Sequence, residues 1–154
     1  MVSASHGEGF GLPLFEAAIN ELPIVAPGWS GQLDFLRIPV RSSGKTGKTK
    51  LKDMFAKVEF TIQPVQKEAV WGDIIIEDSM WCFPQERSFK NQIRNLQKNH
   101  GMYRTWAKKL KKHVLAEFEE SVLLQRMANS IIGEEASKTV PDEALAALIV
   151  RSFE

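Results

Sequence analysis

The chain has 154 residues, 44% of them hydrophobic and 25% charged, proportions of a globular domain large enough to bury a core without disulfide or metal staples. A formal charge of +1 argues against bulk electrostatic capture of nucleic acid, although it leaves local patches open. The single cysteine, Cys82, excludes an internal disulfide and fits a reducing compartment. Met1 to Phe10 has no basic start followed by an apolar stretch, and no apolar run approaches the ~20 residues that span a bilayer. The expectation is a cytoplasmic chain with no stable membrane insertion.

In chain order, Val2 to Ser5 reads as the end of a short strand that delivers a glycine-rich loop. Pro13 suits the first turn of a helix, where its missing N–H costs nothing. Leu12, Phe15, Ile19 and Leu22 recur at helical spacing up to Pro23. Ile24 to Ala26 is a short apolar strand of the kind buried on both faces of a parallel sheet. A turn over 27–31 follows, then a short helix over Gln32 to Leu36. Strand, helix and strand with brief connections predict an α/β fold. Arg41 to Lys52, rich in Ser, Gly, Thr and Lys, reads as an exposed, mobile basic loop. Lys57 to Val65 alternates as one half-buried strand, and the segment between Pro64 and Pro84 wraps the core with one short strand. Three helices follow, over Ser88 to Lys98, Met102 to Phe118 and Ser121 to Ile132, and a last one is expected over Pro141 to Phe153.

The chemistry concentrates in His6-Gly7-Glu8-Gly9-Phe10-Gly11-Leu12-Pro13-Leu14-Phe15-Glu16. Gly7, Gly9 and Gly11 permit positive φ and let backbone N–H groups approach a ligand. A helix starting near Leu12 adds the positive end of its dipole, so the loop can cradle a phosphate. Glu8 in the loop and Glu16 a turn or so into the helix can reach one ligand from two sides. Beside a phosphate their natural partners are vicinal hydroxyls, because an ionised carboxylate only accepts hydrogen bonds. The residues alone fit equally a glycine turn into a helix carrying two solvated glutamates.

Met1 to Leu36 closely resembles the donor-binding segment of retaining GT-B glycosyltransferases of family 4, with their E-x7-E motif. The matching residues are Ser5, Glu8-Gly9-Phe10-Gly11-Leu12-Pro13, Glu16-Ala17, Pro23-Ile24-Val25-Ala26 and Ser30-Gly31. The resemblance implies a Rossmann-like partial parallel sheet, the carboxyl half of a GT-B C-terminal domain, ending in a helical tail. It implies that residues 1–134 form a partial donor-binding domain, with 41–52 as the loop, and 135–154 a helical extension. It implies transfer of a sugar from a nucleotide-diphosphate donor to an acceptor hydroxyl with retention. Glu8 would be the residue at the catalytic centre, contacting donor-sugar hydroxyls. Gly9, Phe10, Gly11 and Leu12 would line the sugar and diphosphate, and Glu16 would bind the ribose. The resemblance supplies no general base, carboxylate nucleophile, metal or cofactor beyond the nucleotide sugar. Ser30 departs from the first glycine of the usual Gly-Gly turn, and Asp34 stands where glutamate is common. The basic loop with the strand at Lys57 to Val65 is an insertion. The resemblance begins at residue 1, so the acceptor domain and the first half of the donor domain are expected to be missing. The chain is therefore expected to self-associate or to assemble with a complementary N-terminal chain. The alternative is a non-catalytic nucleotide-sugar-binding or protein-interaction module.

Other features are weaker. Gly9-x-Gly11-x-x-Leu14 lacks the third glycine of a dinucleotide fingerprint, and Gly44 to Lys50 lacks the upstream glycine of a Walker A loop. Lys108, Lys109, Lys111, Lys112 and His113 form a basic helix face whose default is solvation, with anionic lipid or a polyanionic acceptor as the functional option. Trp71, Trp81 and Trp106 sit in apolar patterns that predict core packing, whereas Trp29, in a glycine turn, is a candidate for sugar stacking. His6 is either a donor to a phosphate or sugar hydroxyl, or a strand-end structural residue.

Overall fold

A computed structural model describes residues 1–41, 48–134, 141 and 143–144. Among them the chain is mixed α/β, with a small parallel sheet and five α-helices. Of the expected helix over Pro141 to Phe153 only 141 and 143–144 are described, and the 42–47 part of the basic loop lies outside the described residues. By compactness the chain divides into Met1–Lys112 and His113–Glu154. The sequence reading placed its boundary at residue 134.

In the first unit, α1 (Leu12–Ile19) buries Leu14, Ala17 and Ala18. It ends before Pro23, because Asn20 donates its side-chain amide to the Glu16 carbonyl and Glu21 turns left-handed at φ 58. Glu21 N–H then bonds Ala18 and Leu22 N–H bonds Ala17, the paired closure that satisfies the last carbonyls of a helix. The chain returns through β1 (Val25–Pro27), buried at all three positions. Met1 and Ser3 bond Val25 on one side of it, in parallel register with a Val2–Val25 bridge. On the other side β4 (Ala56–Val58) pairs in parallel, Val25 opposite Ala56. Three parallel segments bring the glycine loop to their carboxyl ends, so burial on both faces explains why Ile24 to Ala26 reads as an unbroken apolar run, and the strand extends one residue further, to Pro27. Backbone hydrogen bonding alternates along a strand, so Val2 and Ala4 present their backbone groups to the outer edge.

Between β1 and β4 lie α2 (Leu33–Leu36) and a ribbon of β2 (Arg37–Arg41) with β3 (Thr49–Asp53) in antiparallel register. Thr49 to Lys52 is therefore strand and not loop: cross-strand pairing with Arg37 to Arg41 overrides the polar composition that predicted mobility. The single strand expected over Lys57 to Val65 is two. After β4 the Glu59 N–H goes to Ser88 Oγ at 3.0 Å, and its carbonyl accepts from Gln85 N–H at 2.8 Å. With both backbone groups diverted to the next helix, pairing restarts one residue on as β5 (Phe60–Pro64), antiparallel to β6 (Met80–Pro84). Only Val58 of the alternating apolar set is buried, and Ile62 is exposed.

Against β1 and β4 pack α3 (Glu86–Lys98) and the start of α4 (His100–Glu117), joining Val25, Ala56, Val58 and Tyr103 with Phe89, Leu96 and Trp106 in one cluster. Asn95 donates to the Tyr103 hydroxyl at 3.0 Å, and Asn99 donates to Asn95 Oδ1 at 2.6 Å, clasping the corner between the helices. Trp81 and Trp106 are half-buried, but Trp71 is 68% exposed. It lies in a turn closed by its own bridge to Ile75, so the core-packing expectation for Trp71 is corrected. In the second unit α5 (Glu120–Ile132) ends at Gly133, φ 86, as expected. An ion pair links Glu117 with Arg126. Among the described residues no helix is long and apolar enough to cross a membrane.

Candidate functional site

The glycine loop is held from three directions. Its first anchor is Ser5, whose Oγ donates to the Gly7 carbonyl at 2.9 Å. The second is the turn after β1. Ser30 Oγ accepts from Glu8 N–H at 3.2 Å and donates to the Glu8 carbonyl at 2.6 Å, and Gly31 N–H also reaches that carbonyl at 3.1 Å. Third, Phe10 drops into an aromatic trio with Phe15 of α1 and Phe35 of α2, ring centroids 5.1–5.4 Å apart. The Phe10 side chain thus anchors the loop from below while its backbone stays with Gly9 and Gly11.

Of the three loop glycines only Gly11 adopts positive φ, at 91°, so the permissive role expected of Gly7 and Gly9 is corrected. Gly11 leads into α1, its carbonyl accepting from Leu14 and Phe15 N–H at 3.0 Å, and no side chain caps that first turn. The tightest approach lies elsewhere: a Cβ on Gly31 would sit 2.0 Å from the Gly9 carbonyl oxygen. Leu12 is 64% exposed. Glu8 is half-buried and Glu16 exposed. Among the described residues neither carboxylate makes a hydrogen bond or ion pair, so both remain available to a ligand.

Two contributors were not legible as such in the sequence. Ser30, there only a departure from a Gly-Gly turn, takes the glycine-like φ of 70° and uses its hydroxyl to clamp Glu8. Ser30→Ala keeps the backbone strain and leaves both Glu8 backbone groups less well bonded. It is expected to lower stability by about 1–2 kcal/mol, read as a urea midpoint shift at constant m-value. Gln32 is buried, donating Nε2–H to the Pro27 carbonyl at 3.1 Å. The departure at Ser30 from the first glycine of a Gly-Gly turn is the sequence signal for the clamp, and Gln32 carries none.

His6 is structural. Its Nδ1 lies 2.6 Å from the Cys82 carbonyl, which can only accept, so Nδ1 carries the proton. The ring stacks on Trp81 at 5.1 Å and tilts against Phe83 at 4.6 Å, and Cys82 N–H returns to the His6 carbonyl at 3.1 Å. Burial pushes the Cys82 thiol pKa up, the opposite of an activated nucleophile. Trp29 is 37% exposed but leans on Phe60 at 5.7 Å. A hollow of about 300 Å³ along α3, lined by Glu86, Arg87, Lys90, Asn91 and Arg94, is one helix face without converging groups from another element. Among the described residues no group of three or more His, Cys, Asp or Glu is placed to hold a metal ion. No family model, curated protein or solved structure matches this chain.

Proposed function

We propose that the chain is the carboxyl part of a Rossmann-like donor-binding domain in a GT-B, family 4-like retaining glycosyltransferase, and that its loop takes a nucleotide-diphosphate sugar. The observation that carries the reading is the pair of carboxylates, Glu8 and Glu16, unengaged among the described residues, on either side of the N-terminus of α1 at the carboxyl ends of parallel strands. That is where open α/β sheets bind phosphorylated ligands. Uncapped N–H groups and the helix dipole favour the diphosphate, and build-up of charge on it as the anomeric bond breaks is stabilised the same way. Glu8 accepts from the sugar hydroxyls and Glu16 from the ribose, so this chain's contribution to catalysis is mainly positioning. In this reading a facing polypeptide supplies the acceptor site and the remaining donor contacts.

Calorimetry with UDP, GDP, ADP and their sugars tests it. One ligand series should bind, and Glu16→Ala should weaken that binding roughly 10- to 100-fold, the worth of hydrogen bonds to a charged acceptor. A folded chain that binds none of them sinks the donor-site reading and leaves the protein-interaction module.

A further inference from the structure

The β5–β6 ribbon has one covered edge and one open edge. On the β6 side both backbone groups of Cys82 go to His6, the N–H to its carbonyl at 3.1 Å and the carbonyl to its Nδ1 at 2.6 Å. Across the ribbon Ile62 stands opposite Cys82, Phe60 opposite Pro84 and Pro64 opposite Met80. Pairs that exchange hydrogen bonds alternate with pairs that do not, so with Cys82 turned outward Ile62 is turned outward too. The flanking bonds keep the same alternation: Val65 N–H reaches the Ser79 carbonyl at 2.9 Å, and Gln85 N–H the Glu59 carbonyl at 2.8 Å. The backbone groups of Phe60 and Ile62 therefore point away from β6, and among the described residues no strand pairs with them.

Strand edges are ordinarily guarded by charge, above all by lysine. The other ribbon has this guard, with Lys50 and Lys52 on β3. Neither β5 nor β6 contains a charged residue. Ile62 is 36% exposed and Met80 50%, and by register both stand with Pro64 on one ribbon face. An uncharged edge of this kind accepts an uncharged strand and repels no copy of itself. In an antiparallel register centred on Thr61, Phe60 lies opposite Ile62 of a second copy, and Ile62 opposite its Phe60. Every N–H and C=O of those residues then finds a partner, and both cross-strand pairs set an aromatic ring against a β-branched side chain, a favourable combination. Pro64, which has no N–H to offer, falls beyond the last bond. A register centred on Ile62 instead would set Pro64 against Phe60 and leave the Phe60 carbonyl unbonded.

From this self-complementarity we infer that two copies of the chain pair through their β5 edges, as a twofold dimer whose ribbons join into one sheet. The inference does not rest on the donor-site reading. Sedimentation velocity of the full chain across about 1–100 μM should show the dimer. Ile62→Pro removes only an outward-facing donor, which an edge strand tolerates. It should raise the dimer dissociation constant roughly 10- to 100-fold, because each copy loses one hydrogen bond, with unchanged circular dichroism. Ile62→Lys, which restores the missing guard charge, should do the same and keeps the test valid if the proline variant fails to fold. Thr61→Cys reads the register. At the centre its Cα would stand about 4.5 Å from its own copy, within reach of a disulfide, so mild oxidation should cross-link the dimer. Gln63→Cys, about 13 Å from its copy in that register, should stay unlinked. A monomer throughout the range, a dimer that ignores both Ile62 changes, or no preference for cross-linking at Thr61→Cys would overturn the inference.

Discussion

Gly31→Ala is expected to empty the candidate site. The new methyl would stand 2.0 Å from the Gly9 carbonyl oxygen. The obstacle is backbone, so no rotamer change relieves it, and the loop from Glu8 to Gly11 must move by on the order of 1 Å. Overpacking of this kind costs about 1–3 kcal/mol. Displacement on that scale at a positioned site is worth roughly 100-fold in function. Nucleotide affinity should therefore fall by about two orders of magnitude while the protein remains folded, measured by calorimetry beside thermal unfolding. Gly7→Ala and Gly9→Ala form the control. Neither glycine has positive φ or a neighbour within 4 Å of a new Cβ, so each should change stability by no more than about 0.5 kcal/mol. Equal losses of stability for Gly9→Ala and Gly31→Ala would show that loop flexibility, and not the packing of Gly31, governs the loop.

Phe35→Ala should be the most destabilising single change. Phe35 is fully buried and meets both Phe10 of the loop and Phe15 of α1, so its removal opens a cavity under the segment that carries Glu8 and Glu16. Truncation of a buried phenylalanine costs about 3–5 kcal/mol, a Tm loss of roughly 10 °C or more for a chain of this size. Phe35→Leu retains most of the volume and should recover more than half of the loss. Both are read by urea unfolding at constant m-value. A Phe35→Ala loss under about 1 kcal/mol would mean that the trio does not hold the loop.

The elements around the loop were legible because local chemistry and tertiary setting agree there. Pro13 at a helix start, the apolar run at Ile24 to Ala26 and the helical periodicity from Ser88 to Ile132 each carry their own signal. Legibility failed where a distant partner decides. Thr49 to Asp53 has a loop composition and becomes a strand because Arg37 to Arg41 offers a matching edge. The alternation from Lys57 to Val65 hides a break that exists only because Ser88 and Gln85 claim the Glu59 backbone. Trp71 carries the same apolar pattern as Trp81, yet among the described residues Trp81 stacks on His6 while Trp71 stays exposed.

At the candidate site, residue order was enough to read the spacing of Glu8 and Glu16, the glycine-rich loop between strand and helix, and the helix start at Leu12. These are local properties, set by residue type and by the conformations each type permits. Which glycine is indispensable, and that Ser30 clamps the Glu8 backbone, follow from the folded chain. It alone brought Phe35 under the loop and left both carboxylates without partners among the described residues. Those outcomes depend on contacts across 20 or more residues of chain, such as Gly9 with Gly31 and Glu8 with Ser30, whose partners no local pattern can specify.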